Sequence, residues 1–325
     1  MKFPKFSFIV CTYNSPELII RCLNSILRQK YRGKIEIILA DGGSAQETIN
    51  LLKEYAKKFA FIKIIKNKRK LPEGYGGGKW LAYKHSSGDF IAIVDQDNEL
   101  QGDNWINDIL IPFNKENVFG CASMAIVRLE DSITTQYINL NGTDPFFAYR
   151  SIEGLINLKR IGQDKGSYVL VSMDPKYLLI TGGNCFVYKK TYLEKIGGYI
   201  QDTENVFRIV NLGYNKVAIS KKARTHHFAT KDFFDFIRKK KRWARVYDES
   251  KTKDYNFSYI PKTKIERRYF LINLFMILTL VPSFIISLKK IVETRQIAWI
   301  LHTPLSFITG FIYFFYAFIR NFVRF

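Results

Sequence analysis

Gly88-Asp89-Phe90-Ile91-Ala92-Ile93-Val94-Asp95-Gln96-Asp97-Asn98 is the stretch that decides the fold. Its apolar run, residues 90 to 94, is too short for a helix and reads as a strand buried on both faces. Such a strand belongs to a sheet with helices packed over it, and two carboxylates flanking one residue follow at its carboxyl end. Residues 5 to 11 and 35 to 40 are runs of the same kind, ending in Thr12-Tyr13-Asn14 and in Asp41-Gly42-Gly43-Ser44. Between them Leu18, Ile19, Cys22, Leu23, Ile26 and Leu27 keep helical spacing after Pro16, with Ser15 or Asn14 as the cap. A second helix is expected over residues 46 to 59 and a strand over 61 to 65. A glycine-rich loop at 74 to 78 then leads into a helix that runs to about Ser86.

Strands alternating with helices at this spacing give right-handed βαβ units, a parallel sheet and an α/β fold. Such sheets bind ligands beyond the carboxyl ends of their strands. Tyr13, Asn14, Asp41, Asp95 and Asp97 all fall there, so clusters far apart in sequence converge on one crevice. The Asp95/Asp97 pair suits hard Mg²⁺ or Mn²⁺ held against a diphosphate, with the metal neutralising charge on a leaving group. Beyond residue 100 the pattern weakens. A helix is expected over 105 to 113 with Trp105 a possible acceptor-side residue, and a strand over 120 to 128. Residues 131 to 173 show no clean period. A loop at 181 to 186 feeds a short strand and a helix over 189 to 196; Asp202 then opens a helix that Gly213 stops.

Hydrophobic residues make up 47% of the 325, which excludes a mainly disordered chain. The net charge of +21 calls for an anionic partner. Its basic residues crowd residues 221 to 253 and Lys262, Lys264, Arg267 and Arg268, beside an apolar tail, which favours anionic membrane lipid. Nucleic acid is disfavoured, because the aromatics lie in long apolar runs and not interleaved with the cations. The four cysteines form no CxxC pair and read as reduced and buried. The N-terminus enters a strand at once without the form of a signal peptide, so a cytosolic catalytic part is expected. Residues 269 to 288 and 297 to 319 each approach the length that crosses a bilayer. Arg267 and Arg268 before them and Arg320 and Arg324 after them favour two spans with cytosolic ends. Lys289, Lys290 and Arg295 between the runs weigh against this, and a re-entrant or interface-lying hairpin, or two buried core helices, stay open.

SFIVCTYNSPELIIRCLNSILRQ, IEIILADGGS, GDFIAIVDQD and TGGNCFVYKKTYLEKIGGY together resemble successive motifs of family 2 glycosyltransferases with the GT-A fold, over about residues 5 to 245. The resemblance implies a Rossmann-like nucleotide-sugar-binding domain over residues 1 to 250: a nucleotide-binding half, 1 to 100, and an acceptor half with a basic amphipathic segment, 101 to 250. A C-terminal hydrophobic helical hairpin, 260 to 325, would supply two membrane helices. Thr12, Tyr13, Asn14 and Lys79 would meet a UDP- or GDP-sugar and Asp41 its base. Asp95 and Asp97 would serve the diphosphate and the metal, with Asp97 the direct ligand. Counting back from Arg208 and Gly213 places the base of an inverting transfer on Asp202, with Gln201 where the family has Glu, and Glu204 as an alternative. His226 or His227 could reach the metal; His227 is the one assigned.

Gly182, Gly183 and Asn184 resemble the family's acceptor loop. Lys239-Lys240-Lys241-Arg242-Trp243 resembles the Gln-x-x-Arg-Trp motif of processive synthases with Lys239 replacing Gln, which leaves Arg242 and Trp243 for the diphosphate or the acceptor and the lysines for lipid head groups. Asp144-Pro145 is a further acceptor-side possibility. Lys79-Trp80 stands where the family often has Arg-Asn. The expectation is sugar transfer to a lipid-linked glycan at the cytosolic membrane face. Alternatives are synthesis of a polyprenyl-phosphate sugar, or an inactive scaffold of the same fold.

Overall fold

The computed structural model describes residues 3–142, 144–146, 162–176, 178–249, 255–256 and 264–315. Expected elements that reach into other residues, such as the end of the second apolar run, lie outside these. The chain forms two compact units: Met1–Met124, Lys159–Pro175 and Ile180–His227 make the first, and Ala125–Leu158, Lys176–Leu179 and Phe228–Phe325 the second.

In the first unit β1 (Phe6–Thr12), β2 (Ile35–Asp41), β3 (Ile62–Lys66) and β4 (Phe90–Asp95) pair in parallel in the order β3-β2-β1-β4. β1, β2 and β4 are buried along nearly their whole length, whereas β3, at the edge of the sheet, carries Lys63 and Lys66 and is only partly covered. α1 (Pro16–Leu27) begins on Pro16 and buries Ile19, Cys22, Leu23 and Ile26; α2 (Gln46–Lys58) buries Leu52. The chain runs from β1 out to β3 and returns to place β4 on the other side of β1, so the direction reverses between β1 and β4. That reversal opens a crevice at the carboxyl ends of these strands.

Beyond β4 the sheet turns antiparallel. β9 (Phe186–Lys189) pairs with β4 and with β6 (Gly120–Ala125). β10 (Lys216–His227) crosses next to β6 and pairs with β8 (Tyr168–Ser172) and with the three-residue β5 (Asn98–Leu100). β7 (Gly162–Asp164) forms the far edge beside β8. Helices α3 (Gly78–Lys84), α4 (Trp105–Lys115), α6 (Lys190–Lys195) and α7 (Asp202–Asn211) complete the unit. Trp105 is 1% exposed and packs against Phe6 and Phe8 in the core, which removes it from any acceptor surface.

At the opposite end of the strands Glu36 is a buried pin. Ser7 and Lys5 donate to it at 2.6 and 2.9 Å and the Ser87 N–H at 2.6 Å. Burial alone would raise its pKa; the Ser7, Lys5 and Ser87 bonds overcome this and hold it down at about 2. A folded pKa below the unfolded one contributes stability that is complete above the usual carboxylate range and fades as pH falls toward 2. Glu36→Gln is expected to cost about 1–3 kcal/mol near neutral pH, with the gap from wild type closing between pH 4 and 2 in urea titrations.

The second unit is helical: α5 (Ile133–Asn141), α8 (Phe233–Glu249), α9 (Lys264–Leu278), α10 (Val281–Thr294), a 3₁₀ turn (Ile297–Leu301) and α11 (His302–Phe314). Tyr137, Ile138, Phe236, Trp299 and Leu305 form its core. Asp144 accepts from Lys240 at 3.1 Å and from the Tyr313 hydroxyl, and Lys240 also lies over the Phe236 ring. Lys240 therefore points inward, against the expectation that it faces head groups, because Asp144 offers it a partly buried counter-charge. Lys239 likewise reaches the Ala229 carbonyl at 2.6 Å, while Lys241 and Arg242 stay exposed. Arg242 lies against the Trp243 ring.

The first apolar run is not one helix. It breaks after Leu278, and its arms, Arg267–Leu278 and Val281–Thr294, are bent by 81°. Among the described residues one segment, Ile297–Phe314, is long and apolar enough to cross a membrane, with 44% of it buried inside the protein.

Candidate active site

Strand register sets Thr12 opposite Asp41 and Cys11 opposite Asp95, so the loops after β1, β2 and β4 leave the sheet side by side. Asp41 is buried, and its carboxylate accepts the N–H groups of Gly43 at 2.9 Å and Ser44 at 3.2 Å. Asn14 ties this loop to the first: its N–H donates to Ser44 Oγ at 2.8 Å and its Oδ1 accepts the Ala45 N–H at 2.9 Å. Ser15 occupies the cap position of α1 in a left-handed conformation, but its side chain makes no capping bond. The Tyr13 ring is exposed at the mouth.

Gln96, the residue between the two aspartates, is the clasp. Its Oε1 accepts from Thr12 Oγ1 and the Tyr13 N–H, both at 2.9 Å, and its Nε2 donates to the Tyr13 carbonyl at 3.2 Å. The amide thus fixes the first loop to the Asp95–Asp97 turn and leaves both carboxylates for other work.

Lys79 is the centre of the site. Gly78 lets α3 start against β1, since a Cβ there would sit 2.6 Å from Cys11 Sγ. Lys79 then enters the interior, where its side chain is 3% exposed, and its Nζ lies 3.0 Å from Asp202 Oδ2 and 3.3 Å from both Glu73 Oε1 and Asp95 Oδ1. Burial alone would favour a neutral amine, but Asp202, Asp95 and Glu73 outweigh it and the ammonium is held well above its usual range. A buried cation this well paired is fixed in place.

Asp202 opens α7, preceded by Gln201, whose side chain caps the Glu204 N–H at 2.9 Å. Its Oδ1 accepts from the Tyr199 hydroxyl and its carbonyl from Tyr188 at 3.0 Å. Burial and the Glu73 carboxylate raise its pKa well above normal, with Lys79 opposing. The Gly182-Gly183 pair makes room for it: a Cβ on Gly182 would lie 2.5 Å from the Asp202 carbonyl, and one on Gly183 2.5 Å from Oδ2. Asn184 follows in a left-handed conformation. Glu204 is fully buried and bonds Arg208 Nε at 2.6 Å.

The two histidines separate by strand alternation. His226 is buried, whereas His227 Nε2 lies 3.5 Å from Asp97 Oδ2. Among the described residues no three His, Cys, Asp or Glu side chains already converge on one point. Asp95, Asp97 and His227 are carboxylate and imidazole donors of the kind that Mn²⁺ or Mg²⁺ takes. Arg242 and Trp243 belong to the second unit.

The pattern of glycosyl transferase family 2 matches residues 7–197. The chain belongs to that family. "Probable glycosyltransferase YdaM" of Bacillus subtilis is 24% identical over 253 residues, covering 74% of this chain and 55% of that protein. The GalNAc(5)-diNAcBac-PP-undecaprenol beta-1,3-glucosyltransferase of Campylobacter jejuni is 32% identical over 97 residues, 30% of this chain and 31% of that one. The chain thus spans only part of the length of these curated relatives. The solved mannosyltransferase PcManGT of Pyrobaculum calidifontis, in complex with GDP-Man and Mn²⁺, shares the fold with a TM-score of 0.58 at 14% identity, over 98% of this chain and 88% of that one. The family member's fold is therefore GT-A, a mixed α/β sheet.

Glu73, Gln96 and Tyr199 are the site residues that sequence reading missed. Glu73 stands just before the glycine-rich loop, in a stretch that reads as solvent-facing. Gln96 was passed over as a spacer, and Tyr199 as one more apolar residue before α7.

Proposed function

We propose that the chain is a metal-dependent, inverting glycosyltransferase that moves a sugar from a UDP- or GDP-sugar to a lipid-linked glycan at the cytosolic face of a membrane. The observation that carries this is the single ammonium of Lys79 lying within 3.3 Å of both Asp95, on the Asp95–Asp97 turn, and Asp202, at the start of α7. Donor-side and acceptor-side carboxylates are thereby held in one crevice. Mn²⁺ or Mg²⁺, when bound, neutralises the leaving diphosphate; Asp97, Asp95 and His227 would hold it. Asp41 and the loop of Thr12, Tyr13 and Asn14 receive the nucleotide. Asp202, with its raised proton affinity, takes the proton of the acceptor hydroxyl as that oxygen attacks the sugar carbon. Lys79 and Tyr199 each hold one oxygen of that carboxylate and so aim it. Gly182, Gly183 and Asn184 border the acceptor, and Arg242 and Trp243 keep that assignment from sequence alone.

Support for a lipid-linked acceptor comes from the Campylobacter relative, whose name contains undecaprenol, and from the apolar helices of the second unit. The deciding assay offers UDP- and GDP-sugars to detergent-purified protein, with Mn²⁺ or with EDTA, and with either a lipid-linked glycan or bare polyprenyl phosphate. Nucleoside diphosphate release is expected only with metal and the glycan acceptor, and Asp97→Ala is expected to lose it at least 100-fold, roughly the scale of a lost electrostatic stabiliser. Product on bare polyprenyl phosphate alone would establish the synthase alternative. Gly183→Ala forces the Asp202 carboxylate aside. It is expected to lower kcat about 10-fold or more, as small misplacements of reacting groups do, with donor KM unchanged.

A further inference from the structure

The bent pair α9–α10 is built inside out for water. On α10 Ser283 and Ser287 are buried, and Ser287 donates to the Trp299 carbonyl at 2.6 Å, while Phe284, Ile285, Leu288 and Val292 are exposed, Val292 by 79%. On α9 Asn273 turns in to donate to the Phe146 carbonyl at 2.8 Å, while Leu271, Ile272 and Phe275 face out. Small polar groups inward and large apolar ones outward is the arrangement of helices whose surroundings are hydrocarbon. The charges are placed to match. Residues 269 to 288 contain none, whereas the exposed Lys264, Arg267 and Arg268 stand at the start of the first arm and Lys289, Lys290 and Arg295 at the end of the second.

A straight helix would put these two basic groups on opposite faces of a bilayer. The 81° bend lets both lie at the same face when the two arms enter at equal tilt. We propose that α9 and α10 form a wedge that enters a single leaflet with residues 279 to 282 leading and leaves on the side it entered. At ~1.5 Å per residue the uncharged arms are ~15 and ~12 Å long, so a symmetric wedge of this bend reaches ~10 Å deep, within the ~15 Å of one leaflet's hydrocarbon. The basic residues at both outer ends then meet the same head groups, which accounts for the lysines that a two-span reading leaves on the wrong side. This inference deepens the membrane reading above and rests on it.

The test uses the full chain carrying Cys11→Ser, with Ile265→Cys, Val281→Cys or Val292→Cys added one at a time. Each variant is added from outside to sealed vesicles of equal parts phosphatidylcholine and phosphatidylglycerol, floated, and treated with a membrane-impermeant maleimide. Residues 265 and 292 are expected to label to the same extent, and residue 281 only after detergent is added. Labelling at 265 with protection at 292 would mean a spanning helix and overturn the wedge. Equal labelling at all three positions on floated vesicles would place the arms outside the hydrocarbon and also overturn it. Failure to float at all removes the membrane reading itself, and the wedge with it.

Discussion

Asp202→Asn is expected to abolish most sugar transfer, by about 10²–10⁴-fold in kcat, the usual contribution of a positioned general base, while donor nucleotide still binds. Asparagine keeps the volume of the side chain and can still meet Tyr199 and Lys79, but it cannot accept the acceptor's proton. Steady-state kinetics with varied acceptor, together with calorimetric titration of the nucleoside diphosphate, separates the two effects. Transfer within a few-fold of wild type would move the base to another residue. Glu204 is poorly suited, being fully buried against Arg208.

Lys79→Met should be the most destabilising single change at the site. It leaves Asp202, Glu73 and Asp95 converging with no cation among them, and removing one partner of a buried ion cluster costs about 3–5 kcal/mol. Urea denaturation measures this directly. Lys79→Arg keeps the charge but brings a larger planar group into a space fitted to an ammonium, so a smaller loss is expected. Adding Glu73→Gln to Lys79→Met should return part of the loss, because one of the stranded carboxylates is then gone; strict additivity in that cycle would show that the two residues do not interact.

The parallel half of the sheet was legible because it is covered on both faces. β1, β2 and β4 are largely apolar runs, interrupted only by Ser7 and Glu36 before the crevice, where further polar residues begin. Asp41, Asp95 and Asp97 could be picked out for that reason, whereas Asp202 rested on the family resemblance. The antiparallel half was legible only in part: strands were expected over 120 to 128 and after residue 186, where β6 and β9 stand. β5 is three residues long, and β10 reads KVAISKKARTHH, with too many charges to declare a strand until its partners β5 and β8 are known. The role of Lys79 was equally hidden: what makes it a buried hub is Glu73 six residues earlier and Asp202 far along the chain, and neither spacing is a motif. In the tail the composition was read correctly as apolar, but the break after Leu278 depends on how the helices pack.

β10 also fixes an order of events during synthesis. The matched family pattern ends at residue 197, yet Leu100 waits for Thr225 and Asn98 for His227 before their strand has a neighbour. A nascent chain that has completed the recognisable part of its sequence therefore still holds open strand edges on β5 and β8, the kind of surface that invites pairing with another chain. The same late strand delivers His227 beside Asp97, so that pair forms only once the sheet has been sealed.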